Sequence, residues 1–179
     1  MTRLGTFVFA VVWALLVVFA VHFLDFPGSV PRFEKLSRGG VLLDASPAFT
    51  VDAVYRRLSD YGDEGRKSYA FRNVTVDIIL PLSVLPFLFL LMHKAVTALQ
   101  LTGILRVLLL SLSPGYVIFD FAENATILAL LTNYPERMDL VAGILPYVTL
   151  VKRAASLLAF VVPLALFGIR FLRGRFHES

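Results

Sequence analysis

Four apolar runs, each about as long as a bilayer is thick, limit what this chain can fold into. A helix crosses the roughly 30 Å hydrocarbon layer in about 20 residues, and the runs 4–24, 74–92, 104–132 and 154–172 supply that length. Composition agrees, because 58% hydrophobic residues and a mean hydropathy of +0.77 over 179 residues exceed what a soluble domain carries. The reading is an all-α integral membrane four-helix bundle, a single domain over 1–179, with an outer helical loop at 25–73.

The first run is longer than the roughly 7 to 15 apolar residues of a secretory leader and no A-x-A site follows, so it reads as a retained anchor. The second holds Pro81 and Pro86, which neighbouring helices can tolerate by satisfying the freed carbonyls. The third starts near Ile104 or Arg106, is expected to bend at Pro114-Gly115, and stops at Thr132-Asn133-Tyr134-Pro135. Residues 140–172 as one helix would be about 50 Å long and overshoot the hydrocarbon. Lys152 and Arg153 are therefore expected to divide that region, with 140–151 an interfacial lead-in that lies flat, dips, or extends a tilted helix.

Seventeen Lys and Arg against 13 Asp and Glu give a net charge of +4. These basic residues flank apolar runs instead of forming a soluble stripe with interleaved aromatics, which argues against nucleic acid as a partner. Arg3, Lys94, Arg106, Arg170, Arg173 and Arg175 fall at span ends on one side, which places both termini in the cytoplasm of a plasma or bacterial inner membrane. The cluster Arg170, Arg173, Arg175 and His177 reads as a stop-transfer signal in contact with anionic lipid. The absence of cysteine excludes disulfides, thiolate zinc sites and cysteine nucleophiles.

In the outer loop, Val51, Val54, Tyr55, Leu58 and Tyr61 recur at helical spacing behind Thr50 as N-cap, with Asp52 in the first turn and Gly62 just past the end. This amphipathic helix should lay its apolar face on the bundle or on the lipid surface. Residues 26–48, rich in proline and glycine, read as irregular chain. From Asp63 a helix is expected to run straight into the second span.

The chemistry-bearing residues lie at one height. Glu123 is 17 residues from Arg106, Asp77 is 17 from Lys94, Arg153 is 17 from Arg170 and His22 is 19 from Arg3, or about 26 to 29 Å along each helix. Asp120, Glu123 and Asn124 share a helix face through spacings of three and four. An ionisable group in the hydrocarbon costs about 2.5 to 3.5 kcal/mol on insertion scales, so the expected solution is pairing, with Lys152 or Arg153 meeting Asp120 or Glu123. Three carboxylates face at most two cations and an imidazole, so a proton or small cation is a candidate for the missing charge. Besides the bilayer itself, such a small cation, a proton or a lipid head group is the partner this layer suggests.

Other chemistry has little support. His22 with Asp77, Asp120 and Glu123 lacks any Glu-x-x-His or His-Glu-x-x-His spacing, so no metal and no cofactor is expected. Ser83, Ser111 and Ser113 have no histidine base placed by the sequence, and no phosphate-cradling glycine loop exists. The pattern favours binding or interaction over catalysis. Proton- or ion-coupled transport through Asp120 and Glu123 is the second reading, and a lipid-acting membrane enzyme the third.

Gly62-Asp63-Glu64-Gly65-Arg66-Lys67-Ser68-Tyr69, followed by Asp77 and Pro81 in one span and Asp120-Phe121-Ala122-Glu123-Asn124 in the next, resembles a family of four-span membrane proteins with a GxxGRxxY segment before the second helix and a DxxEN signature in the third. The likeness covers about residues 55 to 155 and implies a four-helix membrane fold without implying an activity. Read locally, His22, Arg66 and Tyr69 form the outer mouth. Arg66 is expected to cap the acidic layer and Tyr69 to sit in the interfacial aromatic belt.

Overall fold

The computed structural model describes residues 3–175, which are helical with no strand among them. In chain order the elements are α1 (Arg3–Phe23), α2 (Val30–Leu36), α3 (Val51–Asp60), α4 (Gly62–Val74), α5 (Val76–Ala98), α6 (Gly103–Leu110), α7 (Leu112–Asn133) and α8 (Asp139–Arg175). Four helical stretches are long and apolar enough to cross a membrane: Gly5–Phe23, Gly62–Ala98, Gly103–Asn133 and Asp139–Leu172. Helices α5, α7 and α8 pack on one another, and α1 packs on α5.

Two of the four stretches are jointed. The helix from α4 runs into α5 through Thr75, whose backbone leaves the helical region at φ −124° and ψ −81°. The third is interrupted at Ser111, between α6 and α7, and not at Pro114-Gly115. Proline disturbs the carbonyl four residues before it, so the effect of Pro114 falls on Leu110, one turn earlier than the proline itself.

The last apolar region differs more from expectation. Helix α8 is continuous over 37 residues and Lys152-Arg153 do not divide it. Both residues are good helix formers, and the charge is accommodated by rotation toward partners, with no interruption of the backbone. The surplus length stands at the N-terminal end of α8, where Ala142 and Leu145 are buried under the outer loop.

That loop is more ordered than its composition suggests. Within 26–48, which reads as irregular, α2 forms because Ser29 Oγ accepts from the Arg32 amide at 3.3 Å and Pro31 lies in the first turn. Proline there begins a helix, since its missing N–H would have been unpaired anyway. Thr50 caps α3 by accepting from the Ala53 amide at 3.2 Å, and Gly62 leaves the helix at φ +63°. Gly65 serves a different purpose: a Cβ there would stand 3.0 Å from the Ser37 Cα, tighter than ordinary contact, so glycine lets α4 approach the end of α2 without pushing it back.

The larger apolar core lies beneath this loop. Phe33, Leu43, Leu58, Tyr61 and Tyr69 close over Ile127, Leu130 and Leu145 at the ends of α7 and α8. Phe33 is completely buried, worth about 1.5 to 3 kcal/mol of apolar transfer, with the rings of Tyr61 and Tyr69 each 5.1 Å away. Burial pushes the Tyr61 hydroxyl well above its ordinary pKa, so it remains a neutral donor to the Val41 carbonyl at 2.6 Å. Between the spans the core is smaller, formed by Ala14, Val84, Leu88 and Ala159. Lipid chains are as apolar as leucine, so close approach at small residues holds spans together where water exclusion cannot.

Candidate functional site

Helix α7 turns Asp120, Glu123 and Asn124 into the bundle, and α8 answers with Lys152. Its ammonium lies 3.3 Å from Asp120 Oδ1 and also contacts Glu123 Oε2. Glu123 is wholly buried and Asp120 is 7% exposed. The adjacent Arg153, about 100° round the helix, leaves the layer and donates from Nη2 to the carbonyls of Asp44 and Ala45, both at 2.8 Å. One cation therefore serves two carboxylates, and the next ties α8 to the loop above.

Asp77 does not pair with α8. Its partner is Arg72, whose Nη2 lies 2.8 Å from Asp77 Oδ1 while Nη1 donates to the Gly28 carbonyl at 2.9 Å. Both residues are buried. Five positions separate them, outside the three- or four-residue spacing of a continuous helix, and the joint at Thr75 lies between them.

Asn124 links the two halves. Pro81 has no N–H to give the Asp77 carbonyl four residues earlier, and the Asn124 amide donates to that carbonyl at 3.0 Å. The same amide donates to Asp120 Oδ2 at 3.1 Å. A proline in the second span is thus satisfied by an amide from the third, which fixes both helices in depth and rotation.

These groups surround a cavity of about 550 Å³. Asp44, Arg72, Asp77, Asp120, Lys152 and Arg153 line it, together with the apolar Leu80, Leu157 and Phe160. That volume lies within the roughly 300 to 1,000 Å³ typical of small-ligand sites. With Glu123 behind Lys152, four carboxylates share the region with three permanent cations. The lining offers several charged contacts to a polar group and apolar side chains beside them.

The residues placed at the outer mouth by sequence separate into different roles. His22 lines the cavity, is exposed, and its Nδ1 lies 2.9 Å from the Val18 carbonyl of its own helix. Arg66 does not cap the acidic layer: its Nη1 donates to the Leu58 carbonyl at 2.9 Å and its guanidinium stacks 4.2 Å from the Tyr134 ring centre. Tyr69 is not in an interfacial belt, because it is fully buried and donates its hydroxyl to Asp44 Oδ1 at 2.6 Å. The loop above the bundle draws both residues inward, which a count of residues per span does not register.

Sequence reasoning missed Arg72 and Asp44. Nothing in the helical periodicity marks Arg72, since the Thr75 joint is a tertiary feature, and Asp44 sits in a stretch without periodicity. Among the described residues, no three His, Cys, Asp or Glu side chains are grouped to hold a metal ion. Comparison with protein-family models, with curated proteins and with solved structures gives no match to this chain.

Proposed function

We propose that this multi-pass membrane protein binds an amphiphilic small molecule, with its polar head in the cavity of the charged layer and its tail against Leu80, Leu157 and Phe160. The observation that carries this reading is that the buried ion pairs line a cavity of ligand size whose lining also includes Leu80, Leu157 and Phe160. A purely structural layer would gain most from closing on itself, because partly satisfied buried charges are costly. Both termini are assigned to the cytoplasm of a plasma or bacterial inner membrane. Supporting that, Lys94, Arg106 and Arg170 stand at the ends of the second, third and fourth spans away from the 25–73 loop.

Blocking the cavity without touching its charges tests the binding reading. Ser156 lines it, so Ser156→Trp fills it from α8. Organic extracts of purified wild type should contain an amphiphile that the tryptophan variant lacks, with both proteins eluting as the same folded species. Identical extracts from the two would overturn the reading.

A second reading is supported by one feature, the service of two carboxylates by Lys152 alone. Such a site can exchange a proton or small cation as the lysine moves between partners. Glu123→Gln should then abolish cation or proton flux in proteoliposomes while the variant stays folded. Wild-type vesicles no leakier than protein-free ones would dismiss it.

A further inference from the structure

At the opposite end of the bundle a second cavity, of about 700 Å³, lies where the start of α1, the end of α5 and the last third of α8 converge. His93, Lys94 and Arg170 line it together with Leu90 and Phe167, which lie one turn from them on the same faces of α5 and α8. Its charges differ in kind from those of the outer layer. Residues 3–24, 78–119 and 140–175 contain no Asp or Glu, so these segments offer the cations no counter-charge.

The cations are nevertheless positioned. Lys94 Nζ stands 4.3 Å from the centre of the Phe7 ring, which holds the ammonium over an aromatic face. Arg170 Nη1 donates to the Ala98 carbonyl, four residues along the same face of α5 from Lys94. A guanidinium has five N–H donors, so this anchor leaves others for a ligand. Arg106 from α6 joins the group, with its Nη2 3.3 Å from His93 Nε2.

We propose that this cavity is a phosphate site, and that the phosphodiester of an anionic phospholipid fills it from the adjoining leaflet. A compact cation and a guanidinium fork are the usual pair for phosphate oxygens. Leu90 and Phe167 in the same lining give the attached acyl chains apolar contacts that a free anion would not need. This site is separate from the outer cavity and stands whether or not that cavity holds an amphiphile.

Native mass spectrometry of the full chain, titrated with phosphatidylglycerol or phosphatidylcholine, tests it. Wild type should prefer phosphatidylglycerol. Lys94→Gln should lower that affinity about fivefold, and Lys94→Gln with Arg170→Gln about 25- to 30-fold, with phosphatidylcholine unaffected. Lys94→Arg should retain the preference. Inorganic phosphate added as competitor separates the sources: displacement of phosphatidylglycerol means that the site takes phosphate from either, and no displacement means that it requires the lipid. If Arg170→Gln melts early in phosphatidylcholine through loss of its bond to Ala98, the Lys94 pair of variants decides alone. Equal affinity of wild type for the two lipids would overturn the proposal. So would a preference that survives the cavity variants and disappears with Arg173→Gln and Arg175→Gln.

Discussion

Lys152→Ala should be among the most damaging single substitutions in this protein, costing about 3 to 5 kcal/mol of stability in a mild detergent. The cause is what remains behind. Glu123 is completely buried and Asp120 nearly so, and the ammonium is the only cation within ion-pair distance of either among the described residues. Removing it strands two carboxyl groups in a region that water does not readily reach, next to one another. Lys152→Met together with Glu123→Gln should recover part of the loss, because the fully buried Glu123 then carries no charge and only Asp120, bonded by the Asn124 amide, is left without a cation. Thermal unfolding of the single and double variants measures the coupling. A loss below about 1 kcal/mol for Lys152→Ala would mean that the pair behaves as a solvated surface bridge.

Much of the bundle is legible from residue spacing because the bilayer imposes its own ruler. The first span, the start of α3 behind Thr50 and a helix leading to the second span follow from apolar length and capping residues, and the structure has them, although that helix does not run straight into the span but is jointed at Thr75. The end of the third span follows from its breaker cluster in the same way, with α7 stopping at Asn133. Where a residue acts at a distance from itself, the spacing misleads. Pro114 moves the break to Ser111, and Pro31 starts α2 where proline seemed to forbid a helix. In the charged layer, a common depth for Asp77, Glu123, Arg153 and His22, with Asp120 about a turn deeper, can be counted along the chain, but the pairing of Asp77 with Arg72 cannot. Pairing depends on rotation about each helix axis and on the Thr75 joint, and both are set by packing between elements far apart in sequence. Asp44, Arg66 and Tyr69 illustrate the same limit, since their partners lie across a folded loop whose path has no periodicity to read.

Arg72→Ala should produce a comparable loss, about 3 to 5 kcal/mol, but with a second signature that separates it from the Lys152 variant. The guanidinium has two jobs: Nη2 neutralises Asp77 and Nη1 holds the Gly28 carbonyl at the entry to α2. Alanine removes both, so the segment 25–49 should lose hydrogen-exchange protection as the bundle loses stability. Asp77→Asn removes only the ion pair and leaves the bond to Gly28 available, so its loop should stay protected even where its melting point falls. Arg72→Lys tests the fork itself. A single ammonium cannot make two divergent bonds in fixed planar geometry, and it should restore the pairing with Asp77 without fully restoring the loop. If 25–49 exchanges at the same rate in Arg72→Ala and Asp77→Asn, the bond to Gly28 carries no weight. The joint in the second span and the cap over the cavity would then be energetically independent. If the rates differ as expected, a ligand that draws Arg72 away from the Gly28 carbonyl will be felt in the loop, whereas one that only displaces Asp77 from Arg72 will not.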